Sequence, residues 1–110
     1  MADTQSKLYQ GVPGTSDGAL VPGTAAGNTI LHIHACNTTG LPATLYLAAN
    51  CSATFDAAHA ILYAYTLPPY GTYDLTGMIQ LDANATTGTV RGYQGTASAI
   101  TVIISGNAIS

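Results

Sequence analysis

Apolar and polar residues alternate along most of the chain, in short runs separated by turn residues every eight to twelve positions. A period of two sends successive side chains to opposite faces of a strand, whereas a helix repeats at 3.6. Short alternating runs at this spacing predict an all-β sandwich or barrel. The strongest run is NTILHIHAC (Asn28 to Cys36), with Leu31, Ile33 and Ala35 on one face and Ile30, His32, His34 and Cys36 on the other. Ahead of it, KLYQG (Lys7 to Gly11) opens the domain, and VPGT occurs at Val12 to Thr15 and again at Val21 to Thr24 around a short strand. After the turn NTTGLP, ATLYLAA (Ala43 to Ala49) returns with Leu45 and Leu47 on its apolar face. AILYAYTL (Ala60 to Leu67), GTYDLT (Gly71 to Thr76) and MIQLDA (Met78 to Ala83) read as a meander broken by PPYG. TGTVRGY (Thr87 to Tyr93) and AITVIISG (Ala99 to Gly106) finish it. Phe55, His59, Leu62 and Tyr63 fall near helical spacing, which admits a short helix or turn around Asp56 to Ala60. The fold class expected is an antiparallel β-sandwich, Greek-key or jelly-roll-like, of about eight strands. Residues 1–6 form an N-terminal arm in this reading and residues 7–110 a single domain.

Composition narrows the function classes. Only 6% of the 110 residues are charged and 47% are hydrophobic, with a formal net charge of -3. Two cations cannot neutralise a phosphate backbone, so a nucleic-acid partner is not expected. No polybasic patch is present for anionic lipid and no apolar run approaches the ~20 residues of a membrane span, so no membrane partner is expected either. The surface must be built from Thr, Ser, Asn, Ala and Gly, neutral groups that cost far less to desolvate than charges. That points to a protein made to pack against neighbours. MADTQSKLYQ carries no apolar run of the signal-peptide kind, so the expectation is a chain made in a cytoplasm with reduced cysteines. If residues 28–36 and 43–49 form a hairpin about Thr39-Gly40, Cys36 lies opposite Ala43. Cys51 then lies some 25 Å away at ~3.3 Å per residue, too far for a disulfide. Strands placed in different sheets would reopen the question.

His32 and His34 share a face, as metal ligands two apart on a strand do, and only His59 could complete a set of three. A cupin-like iron site also needs a Glu after the pair, and the chain has no Glu. The expectation is therefore a packing or contact face and no metal or other cofactor, with His32, His34 and His59 as the residual candidates. No nucleophile elbow, glycine-rich phosphate loop or carboxylate pair appears, so no catalytic residue and no enzyme is expected. Five of the seven tyrosines (Tyr63, Tyr65, Tyr70, Tyr73 and Tyr93) fall in the second half. Alternation places Tyr63 and Tyr65 on one face, which suits a protein contact or, as the alternative, a sugar-binding platform.

The order KLYQGVPG, then a strand ending in ACNTTG, then ATLYLA resembles small virion proteins of tailed bacteriophages. The stretch AAHAILYAYTLPPYGTYDLTGMIQLDA and the closing AITVIISGNAI are similar to them as well. The resemblance spans nearly the whole chain. ILHIHAC and the extra tyrosines depart from it, since more uniformly apolar residues are usual at the former. It implies a non-enzymatic β-sandwich of the virion, most readily a decoration protein on the capsid surface, otherwise a tail or neck component; the tyrosine face separately leaves a carbohydrate-binding adhesion module as the alternative. The implied partners are copies of itself and a major virion protein, the location the virion after synthesis in the host bacterial cytoplasm. The expected contacts are the arm Met1 to Ser6, the tail Gly106 to Ser110 with Ile109, and the tyrosines Tyr63, Tyr65 and Tyr93.

Overall fold

The computed structural model describes residues 3–23, 27–51, 54–84 and 86–109, with side chains described from residue 7 to residue 107 of these. Among the described residues eight strands are formed: β1 (Asp3–Gly11), β2 (Gly18–Val21), β3 (Thr29–Asn37), β4 (Ala43–Ala49), β5 (Ala60–Leu67), β6 (Thr72–Gln80), β7 (Val90–Gln94) and β8 (Ile100–Ile109). A single 3-10 turn (Ala57–His59) precedes β5, at the place where helical spacing appeared in the sequence. The strands make two four-stranded antiparallel sheets, ordered β1-β8-β3-β6 and β2-β7-β4-β5. The chain changes sheet at every connection except β4 to β5. That is the jelly-roll arrangement of a double-sheet sandwich. Among the described residues no helix is long and apolar enough to cross a membrane.

The core lies between the sheets. β8 shows the cleanest alternation, with Ile100, Val102 and Ile104 buried and Thr101, Ile103 and Ser105 half-buried between them. Ile33 faces Ile104 and Ala35 faces Val102 across the β3–β8 ladder, while Leu45, Leu47 and Val90 supply the opposing layer. Burial of these β-branched and Leu side chains contributes about 1.5–3 kcal/mol each.

Several expectations change. β3 and β4 do not form a hairpin, because they belong to different sheets; Cys36 is paired with Thr72 and Thr101 and Ala43 with Leu67. Both cysteines are free, Cys36 half-buried on β3 and Cys51 buried just beyond β4. β5 and β6 are likewise split between sheets, and the two strands expected over residues 71–76 and 78–83 are one strand with a bulge at Gly77, whose φ is 148°. The arm is shorter than expected. Asp3 already pairs with Ile109 and Ser6 with Gly106, so β1 takes in residues 3–6 and β8 takes in most of the tail; residues 1, 2 and 110 lie outside the described residues. A bulge in β3 also makes Ile30, rather than Leu31, join Ile33 and Ala35 in the core. β8 passes that bulge so closely that a Cβ on Gly106 would sit 2.0 Å from the Thr29 carbonyl oxygen, and only glycine fits there.

Two buried amides tie the sandwich ends. Asn37, fully buried, donates from Nδ2 to the carbonyls of Leu41 (2.7 Å), Leu67 (3.2 Å) and Pro68 (3.2 Å), and its Oδ1 accepts from the Thr39 amide (3.0 Å) and hydroxyl (2.8 Å). CNTTG is thus a latch that fixes the β3–β4 and β5–β6 connections together. Gln94, also fully buried, accepts from the Ile100 amide (2.8 Å) and donates to the Pro13 carbonyl, which binds the loop after β1 to the start of β8. Paired this fully, buried amides specify one arrangement instead of costing stability.

Candidate functional site

With the core accounted for, the remaining chemistry sits on the two outer faces. On the outer face of the β2-β7-β4-β5 sheet, the alternation that buries Leu45 and Leu47 turns Tyr46 outward, and β7 presents Arg91 and Tyr93 in the same way. Tyr46 and Tyr93 are directly opposite in the β4–β7 register and stack, with centroids 4.3 Å apart and planes 10° from parallel. Tyr63 meets Tyr46 edge-on at 5.4 Å, and Phe55 meets Tyr46 at 6.1 Å and Tyr93 at 5.4 Å in the same manner. Such edge-to-face pairs place a positive ring edge on a negative ring face.

The four rings are held at one side by an ion pair. Arg91 donates from Nε to Asp17 Oδ1 (3.1 Å) and from Nη2 to Oδ2 (3.2 Å), and the Phe55 amide donates to Oδ2 (2.9 Å). The pair is mostly removed from water, with side-chain exposures of 16% and 26%. Partial burial by itself pushes the Asp17 carboxyl up. The hydrogen bonds from Arg91 and the Phe55 amide, together with the Arg91 charge, outweigh that and hold it below the ordinary carboxylate value. Tyr93 moves the other way: burial raises its phenol, and the neighbouring Tyr46, Tyr63 and Asp17 add to the effect.

The expected tyrosine face is therefore only half present. Tyr63 and Tyr93 come together, but Tyr65 does not join them. Leu45 pairs with Tyr65 and Leu47 with Leu62, so β5 spends three residues where β4 spends two. Ala64 absorbs the extra residue with a φ of 51°. One inserted residue reverses which face the following side chains take. Tyr65 instead meets Tyr73 of β6, with centroids 5.0 Å apart, where the edges of the two sheets run together. Tyr46, Phe55 and the Arg91–Asp17 pair were not singled out from sequence. The outward position of Tyr46 was legible in the same alternation as Leu45 and Leu47, whereas Asp17 lies 74 residues from Arg91.

On the outer face of the other sheet, His32, His34 and Cys36 do lie on one side of β3. The residue that organises the histidines is Asp74 of β6, opposite His34 in the ladder. His34 Nδ1 donates to Asp74 Oδ1 at 2.6 Å and His32 Nε2 donates to the same oxygen at 3.1 Å. The hydrogen bond from His34 is the main cause of an Asp74 carboxyl held below its ordinary value. Desolvation opposes it, and the His34 charge and the His32 contact add to it. His59 is elsewhere, at the entry to β5, with Nε2 3.8 Å from Asp56 Oδ2. Among the described residues no group of three or more His, Cys, Asp or Glu side chains could hold a metal ion. Ile109 closes β8 against Asp3, and its side chain lies outside the described ones.

A third feature lies along β6, the edge strand beside β3. The bulge in β6 opens an apolar pocket of about 150 Å³ against Ile30, Leu31, Leu75, Met78 and Ile79. Met78 is 75% exposed beside it. At the far end of the same edge, the Tyr70 amide donates to the Thr39 carbonyl (3.1 Å), which sets the exposed Tyr70 ring next to the loop carrying Leu41. Set against known protein families and against curated proteins, the chain matches none.

Proposed function

We propose that this protein is a non-enzymatic structural component of a phage virion. In this reading it is a small decoration or accessory protein on the capsid surface, working through repeated contacts with copies of itself and with a major virion protein. One observation carries the reading. Of the six large hydrophobic side chains exposed among the described residues, Leu41, Tyr65, Tyr70 and Met78 lie along the β5–β6 edge or in the turns at its end, Tyr63 belongs to the aromatic cluster on the outer face, and Val12 lies elsewhere. An apolar stripe along the side where both sheets end is a contact surface in waiting. β5 and β6 are edge strands, so each also offers unpaired backbone N–H and C=O groups to a neighbour. Neither strand carries Lys, Arg or Pro; each has a bulge, at Ala64 in β5 and at Gly77 in β6, and β6 carries Asp74, so pairing is open only in the short stretches between these features. The jelly roll recurs in viral capsid domains, which is an argument by fold analogy and adds weight without identifying a partner.

The test is native mass spectrometry of the purified chain across a range of concentrations, beside the double variant Tyr65→Ser, Met78→Ser. A wild-type oligomer that the double variant reduces to a folded monomer supports packing through the β5–β6 edge. Immunogold labelling then checks the placement: label on the outer surface of phage heads fits a decoration protein, and particles that carry none of the protein overturn the virion reading.

A further inference from the structure

We propose that Tyr65 and Tyr73 form an oxidative cross-linking site: a one-electron oxidant of the peroxidase class joins the two rings as dityrosine and so staples one sheet to the other. The site does not depend on the virion reading.

The pair stands on the side of the sandwich where β5 ends one sheet and β6 ends the other, and no backbone ladder joins these two strands. The rings meet across that gap, with centroids 5.0 Å apart and planes at 60°. Tyr65 is there because of the bulge at Ala64, whose φ of 51° turns it away from the cluster around Tyr63. A strained backbone position thus brings the two phenols together. Tyr73 is half-buried against the core, which holds its ring, while Tyr65 is 41% exposed and open to an oxidant.

Two features single out this pair among the tyrosines. Dityrosine is a bond between ring carbons beside the hydroxyls, the Cε atoms, so the rings of the product lie side by side. Their twist falls between flat, where the hydroxyls collide, and perpendicular, where conjugation is lost. The 60° tilt lies in that range. Tyr46 and Tyr93 are instead stacked face to face at 10°, and Tyr63 meets Tyr46 edge onto face at 90°, with Phe55 against all three. Neither arrangement sets two Cε atoms side by side. Second, among the described residues Tyr65 and Tyr73 touch no aromatic ring but each other, and the chain has no Trp. A radical formed on either ring therefore meets its partner before any other aromatic group.

The step balances with hydrogen peroxide as the terminal oxidant. Each phenol gives up one electron and one proton. The two radicals join through Cε, and the hydrogens on the joined carbons move to the oxygens, which restores both phenols. The peroxide takes up the two electrons and two protons and leaves as two waters. The new bond closes the loop between residues 65 and 73, which removes freedom from the unfolded chain as a disulfide does. Both cysteines of this chain are free.

The experiment treats the dilute full chain with a peroxidase and hydrogen peroxide and isolates the monomer by size exclusion. The expected monomer shows dityrosine fluorescence, has lost two hydrogen atoms by intact mass, and yields, after pepsin digestion, a peptide of Tyr65 joined to one of Tyr73. Tyr65→Phe and Tyr73→Phe keep the rings but lack the hydroxyl from which the radical forms, so each should lose the linkage. Tyr63→Phe should retain it. Circular dichroism before oxidation confirms that each variant is folded. Oxidised wild type should unfold at a higher urea concentration than the untreated chain. A monomer without the linkage, a linkage that maps to Tyr46, Tyr63 or Tyr93, its persistence in either Tyr65→Phe or Tyr73→Phe, or an unchanged urea midpoint overturns the proposal.

Discussion

On the outer face of the β2-β7-β4-β5 sheet four aromatic rings interlock beside an ion pair that is mostly out of water; on the outer face of the other sheet two histidines share one carboxylate oxygen in the open. Both arrangements start from residues two apart on a strand, Arg91 and Tyr93 in one case and His32 and His34 in the other. They differ in what lies over them. The segment before β5 brings Phe55 down onto the tyrosines and sets its amide against Asp17, so the Arg91–Asp17 contact works at lowered effective dielectric. Asp74 is over half exposed, and water and salt screen its contacts. Similar side-chain chemistry therefore stabilises one face and leaves the other open to screening by salt. Substitutions that separate the two faces order themselves by how much surface each change re-exposes.

The largest effect belongs to Tyr46, which, like Phe55, touches all three other rings and also stacks face to face on Tyr93. Tyr46→Ala should cost about 3 kcal/mol in urea unfolding, the low end for loss of a packed aromatic because the site is half-buried. His34→Ala on the opposite face should stay within about 0.5 kcal/mol, as surface changes do. Equal costs would mean that the aromatic cluster is no more than surface decoration.

Next is Asp17→Asn, which keeps the shape and removes the charge. Loss of two charge-assisted bonds from Arg91 and weakening of the bond from the Phe55 amide should cost about 1.5–2 kcal/mol at neutral pH. The sign with pH follows from the lowered carboxyl. Because the folded value lies below the unfolded one, the stabilisation is complete above the ordinary Asp value of about 3.9 and is lost as pH falls through the depressed folded value. Urea midpoints of wild type and Asp17→Asn should therefore converge in strong acid, and a gap that stays constant with pH would remove the ion pair from the account.

How far the two faces could be read in advance follows the same physics. Alternation and turn residues marked β4 and β5 to the residue, since Leu45 and Leu47 need one buried side and PPYG closes β5; Leu62 and Leu67, five apart, share the core only because of the bulge between them. Alternation also put His32, His34 and Cys36 together correctly. It could not place strands in sheets, since a jelly roll pairs β1 with β8 and β3 with β6 across long separations that leave no local mark. Asp74 reached the histidines, and Asp17 reached Arg91, only through that pairing. Bulges were the second blind spot. A period of two contains no signal for the residue that breaks it unless glycine marks the place, as at Gly77; at Ala64 and in β3 nothing did.

Ala64→Gly tests that break directly. A non-glycine residue at a φ of 51° carries a steric penalty of about 1 kcal/mol, which glycine removes. The variant should therefore gain up to about 1 kcal/mol and keep Tyr63 and Tyr65 on their separate neighbours, visible as unchanged ring-to-ring nuclear Overhauser contacts for Tyr46–Tyr63 and Tyr65–Tyr73. A loss of stability would show that the bulge sits elsewhere in β5.

The smallest effect is on the exposed face, and it is best read as a titration. Asp74 accepts from both His34 and His32 on one oxygen, and the other titratable side chain on that face of β3 is the half-buried Cys36. Its carboxyl carbon should titrate below the ordinary Asp value, because the hydrogen bond from His34 outweighs desolvation and the remaining His34 and His32 contributions reinforce it. Folding thus draws its small benefit from Asp74 above the ordinary value and gives it up as acid protonates the carboxylate at the depressed one. In His34→Gln the shift should shrink by more than in His32→Gln, since the 2.6 Å contact is the stronger of the two at 2.6 and 3.1 Å. Raising the salt concentration should shrink it further on this face while leaving the Asp17 shift nearly intact, because only the Asp74 contacts are open to counterions. Equal salt sensitivity at Asp17 and Asp74 would erase the difference between a covered face and an open one.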